Sequence, residues 1–399
     1  MNLATRILIG MIAGATLGTL LQGRADLLMH YFTEPTGTIW LNLLLVMMLP
    51  LACSALILGM LGLDPRSLAK TGGQILGLTL GLSGVAVAIG IAMVTWIAPG
   101  AGVNPASLPP GTPVEPATGD AVQLLVSQFP SNVVAAAAGK NLVPVLVFAV
   151  LFGLALARIK TEETELVKKV IEAVFQASVR AVEMVLVLAP LGVGALTFNM
   201  AARGGLSALA PVAWFVLTVL LALAAQMFIV YPLTLALVAR RNPWTFFVGA
   251  QRAILMAFST ASSAATLPTS LEVAENELKI SPQTARFVLT VGATGNQNGT
   301  ALFEGVAVLF LAQMYGIHLD LAQQLGVVGV AMIAGVGTAG VPGGALPVIS
   351  AVCVSLGMPD TAVGAIIGVD RLLDMCRTTL NVTGDLVIAA SVRDIPQDA

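Results

Sequence analysis

The chain has 399 residues, of which 57% are hydrophobic and only 10% are charged, and its mean hydropathy is +0.92. Soluble domains carry about 25% charged residues, so this composition cannot cover a water-facing surface and indicates a polytopic membrane protein. The formal net charge of −2 argues against nucleic acid as a partner. The three cysteines and two histidines lie too far apart along the chain for a zinc site, and we expect no disulfide framework.

The N-terminal apolar stretch has two interpretations. It could be a secretory signal peptide, or it could be a membrane helix that the mature protein keeps. Because no convincing small-residue cleavage site precedes Gln22, we favour a retained first membrane helix.

Six segments have the length of about 20 apolar residues that a helix needs to cross a bilayer. They are 4–22, 37–63, 72–98, 137–158, 170–200 and 208–239. The linker 99–119 is rich in Pro and Gly and cannot lie in lipid with unpaired backbone groups, so we predict an external loop there.

The distribution of charge predicts the orientation in the membrane. Basic residues follow the second, fourth and sixth apolar segments, whereas the loop after the third carries Glu115 and Asp120 and no Lys or Arg. The positive-inside rule then places both termini of this multi-pass protein in the cytoplasm.

After residue 240 the hydrophobic pattern changes. The segments "FSTASSAATLPTSLEVAENEL" and "LGVVGVAMIAGVGTAGVPGGALPVISAVCVSLG" each have apolar halves on either side of a break. Two such segments point to the binding site of a transporter, although a pair of ordinary kinked helices is the alternative. With the spans 284–315 and 361–391, the sequence predicts an all-α protein with eight membrane helices and two re-entrant hairpins.

Polar residues in the last span recur at a spacing that places them within an arc of about 100° on one helix face. They are Asp370, Asp374, Arg377, Thr378, Asn381 and Asp385. Arg377 has a planar donor fork that suits a carboxylate, and Asp374 and Asp385 offer anionic oxygens to an ammonium group or a metal cation. An acidic amino acid fits this chemistry, whereas the alternative is an internal network that pairs Arg377 with Asp374.

Glu304 is the other charged residue at membrane depth. It follows Thr300 by four residues and shares its helix face. Because an ionised carboxylate is costly there, an isolated glutamate is a candidate proton site. The alternative is a permanently protonated and hydrogen-bonded structural residue.

Four motifs occur together and in order: "SSAATLP" (262–268), "NQNGT" (296–300), "GTAGVPGG" (337–344) and "DMCRTTLNVTGD" (374–385). With these motifs the chain resembles the glutamate transporter family, the dicarboxylate/amino acid:cation symporters, over nearly its whole length. The resemblance implies a homotrimer with inverted repeats, in which a transport domain moves like an elevator against a fixed scaffold.

The resemblance also implies a division of the chain into domains. Residues 1–71 would form scaffold helices 1 and 2, and residues 72–120 transport-domain helix 3 with the external loop. Residues 121–240 would supply scaffold helices 4 and 5 and transport-domain helix 6. The transport core would be 241–399, with hairpin 1, helix 7, hairpin 2 and helix 8.

Individual site residues follow from the matched motifs. By resemblance, Arg377 binds the side-chain carboxylate of the substrate and Asp374 binds its amino group. The family's remaining substrate contacts, some of them through backbone groups, fall on Ser262, Ser263, Thr300, Val341, Gly343, Thr378 and Asn381. Because both Arg377 and Asp374 are present, the resemblance implies glutamate or aspartate as substrate.

Departures from the family pattern bear on the coupling ion. The chain has Asn298 where sodium-coupled members have an aspartate, and Leu82-Ser83 where we expect a threonine-serine pair. These changes make one sodium site improbable, because sodium favours oxygen ligands and negative charge. A residual sodium site could use Gly295, Asn296, Asn381 and Asp385.

Three further positions differ among members of the family. Glu304 stands where proton-carrying members place their glutamate. Ala261 and Met375 stand where some members have arginines, and Arg371 is a candidate to replace the second of these.

The sequence therefore predicts a proton-coupled uptake symporter for L-glutamate and L-aspartate in the cell inner membrane, without an organic cofactor. The expected partners are the acidic amino acid, the lipid bilayer and two further copies of the chain. A sodium-coupled symporter is the first alternative, and a non-transporting receptor or an anion channel on the same scaffold is the second. An enzyme is not expected, because no nucleophile with its base and no metal-ligand set is recognisable.

Overall fold

The structure is a computed structural model that describes residues 3–61, 72–103, 129–138, 142–159, 161–320, 323–324, 326–327, 329, 331 and 345–392. Helix is the only regular secondary structure in these ranges, which confirms the predicted helical class. The external loop predicted at 99–119 lies outside the described residues from 104 onward.

The first five helices are α1 (Leu3–Leu20), α2 (Asp26–Leu28), α3 (Glu34–Val46), α4 (Met48–Leu61) and α5 (Gly72–Ile97). A π-helical turn, Met29–Thr33, joins α2 to α3. The apolar segment predicted to begin at residue 37 is therefore part of a helical stretch that starts at Asp26. The π turn just before Glu34 explains the error, because it lets the helix accommodate Pro35, which cannot donate a backbone hydrogen bond.

The middle of the chain forms α6 (Val133–Ala138), α7 (Leu142–Leu156), α8 (Glu162–Leu186), α9 (Ala189–Ala225) and α10 (Tyr231–Leu237). Helix α8 begins eight residues before the predicted fifth segment, because Thr161 caps it by accepting a hydrogen bond from the Thr164 backbone N–H. Helices α8 and α9 meet at a bend of 58°. A second π turn, Gln226–Val230, precedes α10.

Helix α9 contains a break at Gly205, which has φ 65° and ψ −160°. This conformation is strained for a residue with a side chain. The break separates two halves of α9 that correspond to parts of the predicted fifth and sixth segments.

The last part of the chain contains α11 (Pro243–Thr260), α12 (Ser263–Asn276), α13 (Pro282–Gly295), α14 (Asn298–Met314), α15 (Ala345–Ser355) and α16 (Ile367–Ser391). A 3₁₀ helix, Asp360–Ala365, precedes α16. Helices α11 and α12 pack on each other as a hairpin. Ala261 in a left-handed conformation and the N-cap Ser262 form its turn.

Helix α1 lies unusually close to the first half of α9. A methyl group added at Gly10, Gly14 or Gly18 would come within 2.1–2.4 Å of a backbone oxygen of α9. Glycine is required for such an approach, as at the small-residue interfaces of membrane helices.

Helix α16 is the centre of the C-terminal part of the chain. It contacts α11, α12, α13 and α14, and its residues from Leu380 to Ala390 are all buried. Its polar face is thereby enclosed by the hairpin and by the broken helix pair α13–α14.

Three helical stretches among the described residues are long and apolar enough to cross a membrane: Asp26–Leu58, Gly73–Ile97 and Leu209–Leu237. The bent pair of Glu162–Leu186 with Ala189–Gly205 could supply a fourth. The number of eight membrane helices stays a prediction.

Candidate functional site

The sequence run "NQN" interrupts a helix at the middle of the site. Helix α13 ends at Gly295, and α14 begins at Asn298. Between them, Asn296 and Gln297 have non-helical backbone angles. The break frees backbone groups that a continuous helix would use internally, and both side chains are buried.

The polar face predicted on the last helix is present in α16 and is buried. Its six members, Asp370, Asp374, Arg377, Thr378, Asn381 and Asp385, are each no more than 7% exposed. Since buried charges persist only when they are paired or hydrogen-bonded, the partners of these side chains define the chemistry of the site.

Arg377 is the most enclosed cation in the described part of the chain, with a side chain that is 1% exposed. Its Nη2 lies 2.8 Å from Asp374 Oδ1 and 3.0 Å from Asp370 Oδ1. The guanidinium stands 3.9 Å from the centre of the Phe303 ring, within the range of a cation–π interaction. Its Nε and Nη1 have no hydrogen-bond partner within the described residues. A donor fork with free N–H groups is therefore open to a carboxylate.

Asp374 lies between two arginines. Arg371 Nη1 is 3.7 Å from Asp374 Oδ2, on the side opposite Arg377. At this distance Arg371 and Asp374 form an ion pair without a direct hydrogen bond. The structure thus places Arg371 beside the residue predicted to bind the amino group.

Asn381 connects α16 to the helix break. Its Oδ1 accepts a hydrogen bond of 2.7 Å from the Gly299 backbone N–H. Its Nδ2 donates to Gln297 Oε1 and to Thr300 Oγ1, at 2.5 and 3.1 Å. Thr300 also donates to Gln297 Oε1 at 3.2 Å. These bonds hold the start of α14 against α16 and bring two predicted substrate contacts, Thr300 and Asn381, together.

Asn298 is the centre of a second, uncharged network. Ser83 Oγ donates to Asn298 Oδ1 at 2.6 Å, and Asn298 Nδ2 donates to the Tyr231 hydroxyl at 3.1 Å. That hydroxyl donates in turn to the Leu380 carbonyl of α16 at 3.0 Å. Both polar atoms of the Asn298 amide are therefore satisfied by neutral groups, and the network joins α5, α10, α14 and α16.

Asn296 and Asp385 form the third polar pair. Asn296 Nδ2 donates to Asp385 Oδ1 at 2.8 Å, whereas Asn296 Oδ1 is buried without a hydrogen-bond partner within the described ranges. A methyl group at Gly292 would lie 2.5 Å from Asp385 Oδ1, so the carboxylate packs directly on α13. The pair supplies the carboxylate and a free amide oxygen that the predicted residual sodium site needs.

Glu304 lies on α14 and is 1% exposed. Neither of its carboxylate oxygens has a hydrogen-bond partner among the residues that the structure describes, although it interacts electrostatically with Arg377. A buried carboxylate without hydrogen bonds is costly when it is ionised. Among the described residues, the hydrogen-bonded structural role that the sequence left open finds no hydrogen-bond partner for Glu304.

The turn of the first hairpin carries two of the predicted substrate contacts, Ser262 and Ser263. Ser262 Oγ accepts a hydrogen bond from the Ala265 backbone N–H at 3.2 Å and so caps α12. Ser263 is buried, and its hydroxyl has no partner within the described residues. Val341 and Gly343, the predicted contacts from the second hairpin, lie outside the described residues.

Two residues of the site were not recognised from the sequence. Phe303 supplies the aromatic face above Arg377, and Tyr231 supplies the hydroxyl that binds Asn298. Phe303 precedes Glu304 inside an apolar helix and carries no sequence signal of its own. Tyr231 could have been noticed as a hydroxyl-bearing aromatic inside a mostly apolar span, followed directly by Pro232.

Comparison with known proteins places this site in a family. The model of the sodium:dicarboxylate symporter family matches residues 3–395, and the chain belongs to that family. Its members are transporters, so the protein is a transporter and not an enzyme.

Three relatives show the range of the similarity. The chain is 33% identical to the proton/glutamate-aspartate symporter of Escherichia coli, over 97% of this chain and 92% of the relative. It is 31% identical to the proton/sodium-glutamate symport protein of Bacillus subtilis, over 97% and 91%. It is 30% identical to excitatory amino acid transporter 1 of Ambystoma tigrinum, over 92% and 78%.

Proposed function

We propose that the protein is a secondary active symporter that takes up L-glutamate and L-aspartate together with protons. The observation that carries this proposal is the enclosed cluster of Arg377, Asp374 and Asp370. The names of the bacterial relatives, which are symporters of glutamate or aspartate, support the same substrate class.

The arrangement of charges explains how an acidic amino acid would bind. Arg377 is shared between Asp374 and Asp370. A substrate carboxylate would bind the free Nε and Nη1 of Arg377 and draw the guanidinium away from Asp374. Asp374 would then accept the ammonium group, so that both charged ends of the ligand replace contacts within the protein.

Two features support protons as the coupling ion. The amide of Asn298 is neutral, and Ser83 and Tyr231 satisfy it without an ion. Glu304 is buried without hydrogen bonds in the described structure. Protonation of Glu304 would remove a buried negative charge before the site crosses the bilayer, which lowers the cost of that movement.

The transport cycle is proposed by family resemblance. The region 241–399 would move together with helices 3 and 6 as a transport domain against the scaffold, and three copies would assemble in the cell inner membrane. The close packing of α5 on α14, together with the hydrogen bond from Ser83 to Asn298, supports grouping helix 3 with the core.

Purified protein in liposomes tests the coupling ion. We expect labelled aspartate and glutamate to accumulate when a pH gradient, acidic outside, is imposed in sodium-free buffer. Accumulation that follows a sodium gradient and ignores the pH gradient would show that the proton assignment is wrong. Accumulation of succinate instead of the amino acids would overturn the substrate class.

Sodium coupling is the second candidate, and the pair of Asn296 and Asp385 favours it. The free Asn296 Oδ1 and the Asp385 carboxylate offer oxygen ligands of the type that sodium prefers. In this case uptake in sodium-free buffer should cease, and Asp385→Asn should reduce sodium-driven uptake much more than substrate exchange.

A further inference from the structure

A cavity of about 390 Å³ lies between α1, the two halves of α9 and the region that begins α16. Among the residues that the structure describes, none of the side chains predicted to contact substrate or ion lines it. The volume falls within the range of about 300–1,000 Å³ that is typical of small-ligand sites.

The cavity results from backbone features on each of its sides. The break at Gly205 lets the two halves of α9 form different walls. The glycine contacts between α1 and α9 keep those two helices in a fixed pair. On the opposite wall, a Cβ at Gly364 would meet nothing nearer than 3.9 Å, and the neighbouring Ala365 is also small, so this wall leaves the space unfilled.

Among the described lining residues, no side chain has a polar group available to hold water. Thr197 is the one polar side chain among the lining residues, and its hydroxyl already donates to the Val193 carbonyl at 2.8 Å. A buried water requires about two to four polar partners. An apolar cavity of this kind stays dry or takes up an apolar guest.

The mouth of the cavity is continuous with the apolar exterior. Ile12 and Leu372 line the cavity and are 54% and 50% exposed. Leu8 and Ile9 extend the exposed apolar surface along α1. In a membrane protein, hydrocarbon chains are the solvent of such a surface.

We propose that this cavity binds one hydrocarbon chain of a membrane lipid. The chain enters past Ile12 and Leu372 and fills the space beside Gly364 and Ala365. It thereby sets the spacing between α1, packed on the first half of α9, and the start of α16.

The position of the cavity gives the lipid chain a role in transport. Val369 and Leu372 line the cavity. The two residues between them, Asp370 and Arg371, belong to the substrate cluster. This consequence rests on the proposed function, in which α16 and the second half of α9, which corresponds to helix 6, move relative to α1 and the first half of α9. Occupation of the cavity sets the rate of that movement without contact with the substrate.

Photolabelling tests the site without reference to transport. The full-length protein is placed in vesicles that contain a phosphatidylglycerol lipid with a photoreactive group on its acyl chain, and adducts are mapped by mass spectrometry. We expect adducts on Leu209–Val216 and on Gly364–Leu372 to exceed those at Leu233, an exposed residue of α10. Adducts that merely follow surface exposure would overturn the proposal.

Variants that fill the cavity provide the control. Ala213→Phe, on the α9 wall, should abolish labelling of the Gly364–Leu372 segment, whereas Leu217→Phe, on the exposed side of α9, should leave it unchanged. Gly364→Leu fills the same space from the other wall, where a Cβ at position 364 would meet nothing nearer than 3.9 Å. Persistent labelling in both filled variants, with unchanged elution in size-exclusion chromatography, would show that the cavity is not the site.

Exchange kinetics separate the lipid site from the proposed function. We expect Ala213→Phe to change the rate of aspartate exchange several-fold while the dissociation constant for aspartate stays within twofold of the wild-type value. Labelling of the cavity with no change in exchange rate would contradict the role in transport. A wild-type protein that binds no acidic amino acid would contradict the proposed function and leave the labelling result unaffected.

Discussion

Arg377 pairs with both Asp370 and Asp374, so its removal should lower stability and also abolish substrate binding. Arg377→Ala leaves Asp370 and Asp374 buried without their shared cation. Breaking a buried ion pair in this way costs about 3–5 kcal/mol of stability. We also expect loss of aspartate and glutamate binding in isothermal titration calorimetry, because Arg377 is the group to which the proposal assigns the substrate carboxylate.

Two control variants separate binding from folding. Arg377→Lys keeps the charge but loses the planar fork, so it should fold and bind acidic substrates at least tenfold more weakly. Arg252→Ala removes an exposed ion pair with Glu272, and it should change neither property. Normal glutamate binding by Arg377→Lys and Arg377→Ala would remove the arginine from the model of the site.

Glu304 should be required for coupling but not for substrate exchange. Glu304→Gln keeps the size of the side chain and cannot take up a proton. We expect the variant to exchange internal for external aspartate yet to accumulate none when a pH gradient is the driving force. Glu272→Gln, at an exposed site, is the matched control. Accumulation by Glu304→Gln at the wild-type level would identify another residue as the proton carrier.

Asn298 should determine whether the adjacent network needs a cation. In Asn298→Asp, Ser83 can still donate to one carboxylate oxygen, but the other oxygen faces the Tyr231 hydroxyl with a buried negative charge. We expect the unfolding temperature to fall in choline chloride and to recover in sodium chloride at equal ionic strength. Equal unfolding temperatures in the two salts would show that the acid binds no cation there.

The sequence predicted which side chains of α16 are polar and buried, because helical periodicity determines a face. It did not predict their pairing. The sharing of Arg377 between Asp370 and Asp374, and the stacking of Phe303 on Arg377, depend on how α14 packs against α16. The spacing of residues within one helix does not predict which residues of another helix they contact. For the same reason the role of Tyr231 was not predicted.

At the scale of helices, the glycine contacts of α1 should contribute strongly to stability. A methyl group at Gly14 would lie 2.1 Å from the Gly194 carbonyl oxygen, so Gly14→Ala must push α1 away from α9. Overpacking of this kind costs about 1–3 kcal/mol. We expect a lower unfolding temperature for the purified protein.

Gly77→Ala on α5 is the matched control for Gly14→Ala. A new methyl group at Gly77 meets nothing within 4 Å, and alanine is about 1 kcal/mol more favourable than glycine inside a helix. The unfolding temperature should therefore stay the same or rise. Equal effects of the two substitutions would show that the close approach of α1 to α9 contributes nothing to stability.

Helix bounds were predicted well where apolar composition alone defines them. The span 72–98 corresponds to α5, which is Gly72–Ile97. The prediction was wrong where a helix continues through polar residues, as at the start of α8, whose N-terminus is determined by the Thr161 cap. Hydropathy cannot detect a cap, because the hydrogen bond depends on backbone geometry.

At the scale of the whole molecule, the polar groups of the candidate site are gathered around one helix. Helix α16 receives Tyr231 from α10, Gly299 and Thr300 from α14, and Asn296 from the helix break. The motifs predicted that these segments belong together by family resemblance. The hydrogen bonds that join these segments could not be predicted from the order of the motifs, because the bonds form only when α14 and α16 pack together.

The orientation of the chain in the membrane is the remaining whole-molecule prediction. Charge bias places the region that follows the fourth segment in the cytoplasm and the loop after the third outside. In a background with Cys53, Cys353 and Cys376 replaced by alanine, we therefore expect a membrane-impermeant maleimide to label Glu115→Cys in intact cells. It should label Glu163→Cys, at the exposed start of α8, only after the cells are permeabilised.

Cysteine at Asp320, an exposed residue after α14, extends the same test to the C-terminal half. The seventh predicted span runs outward if both termini are cytoplasmic, so this position should react in intact cells, as Glu115→Cys does. If only Glu163→Cys were labelled in intact cells, the orientation would be the reverse of the predicted one. If Glu115→Cys were labelled and Asp320→Cys were not, the chain would cross the membrane an odd number of times between these two positions. The prediction of eight spans would then be wrong.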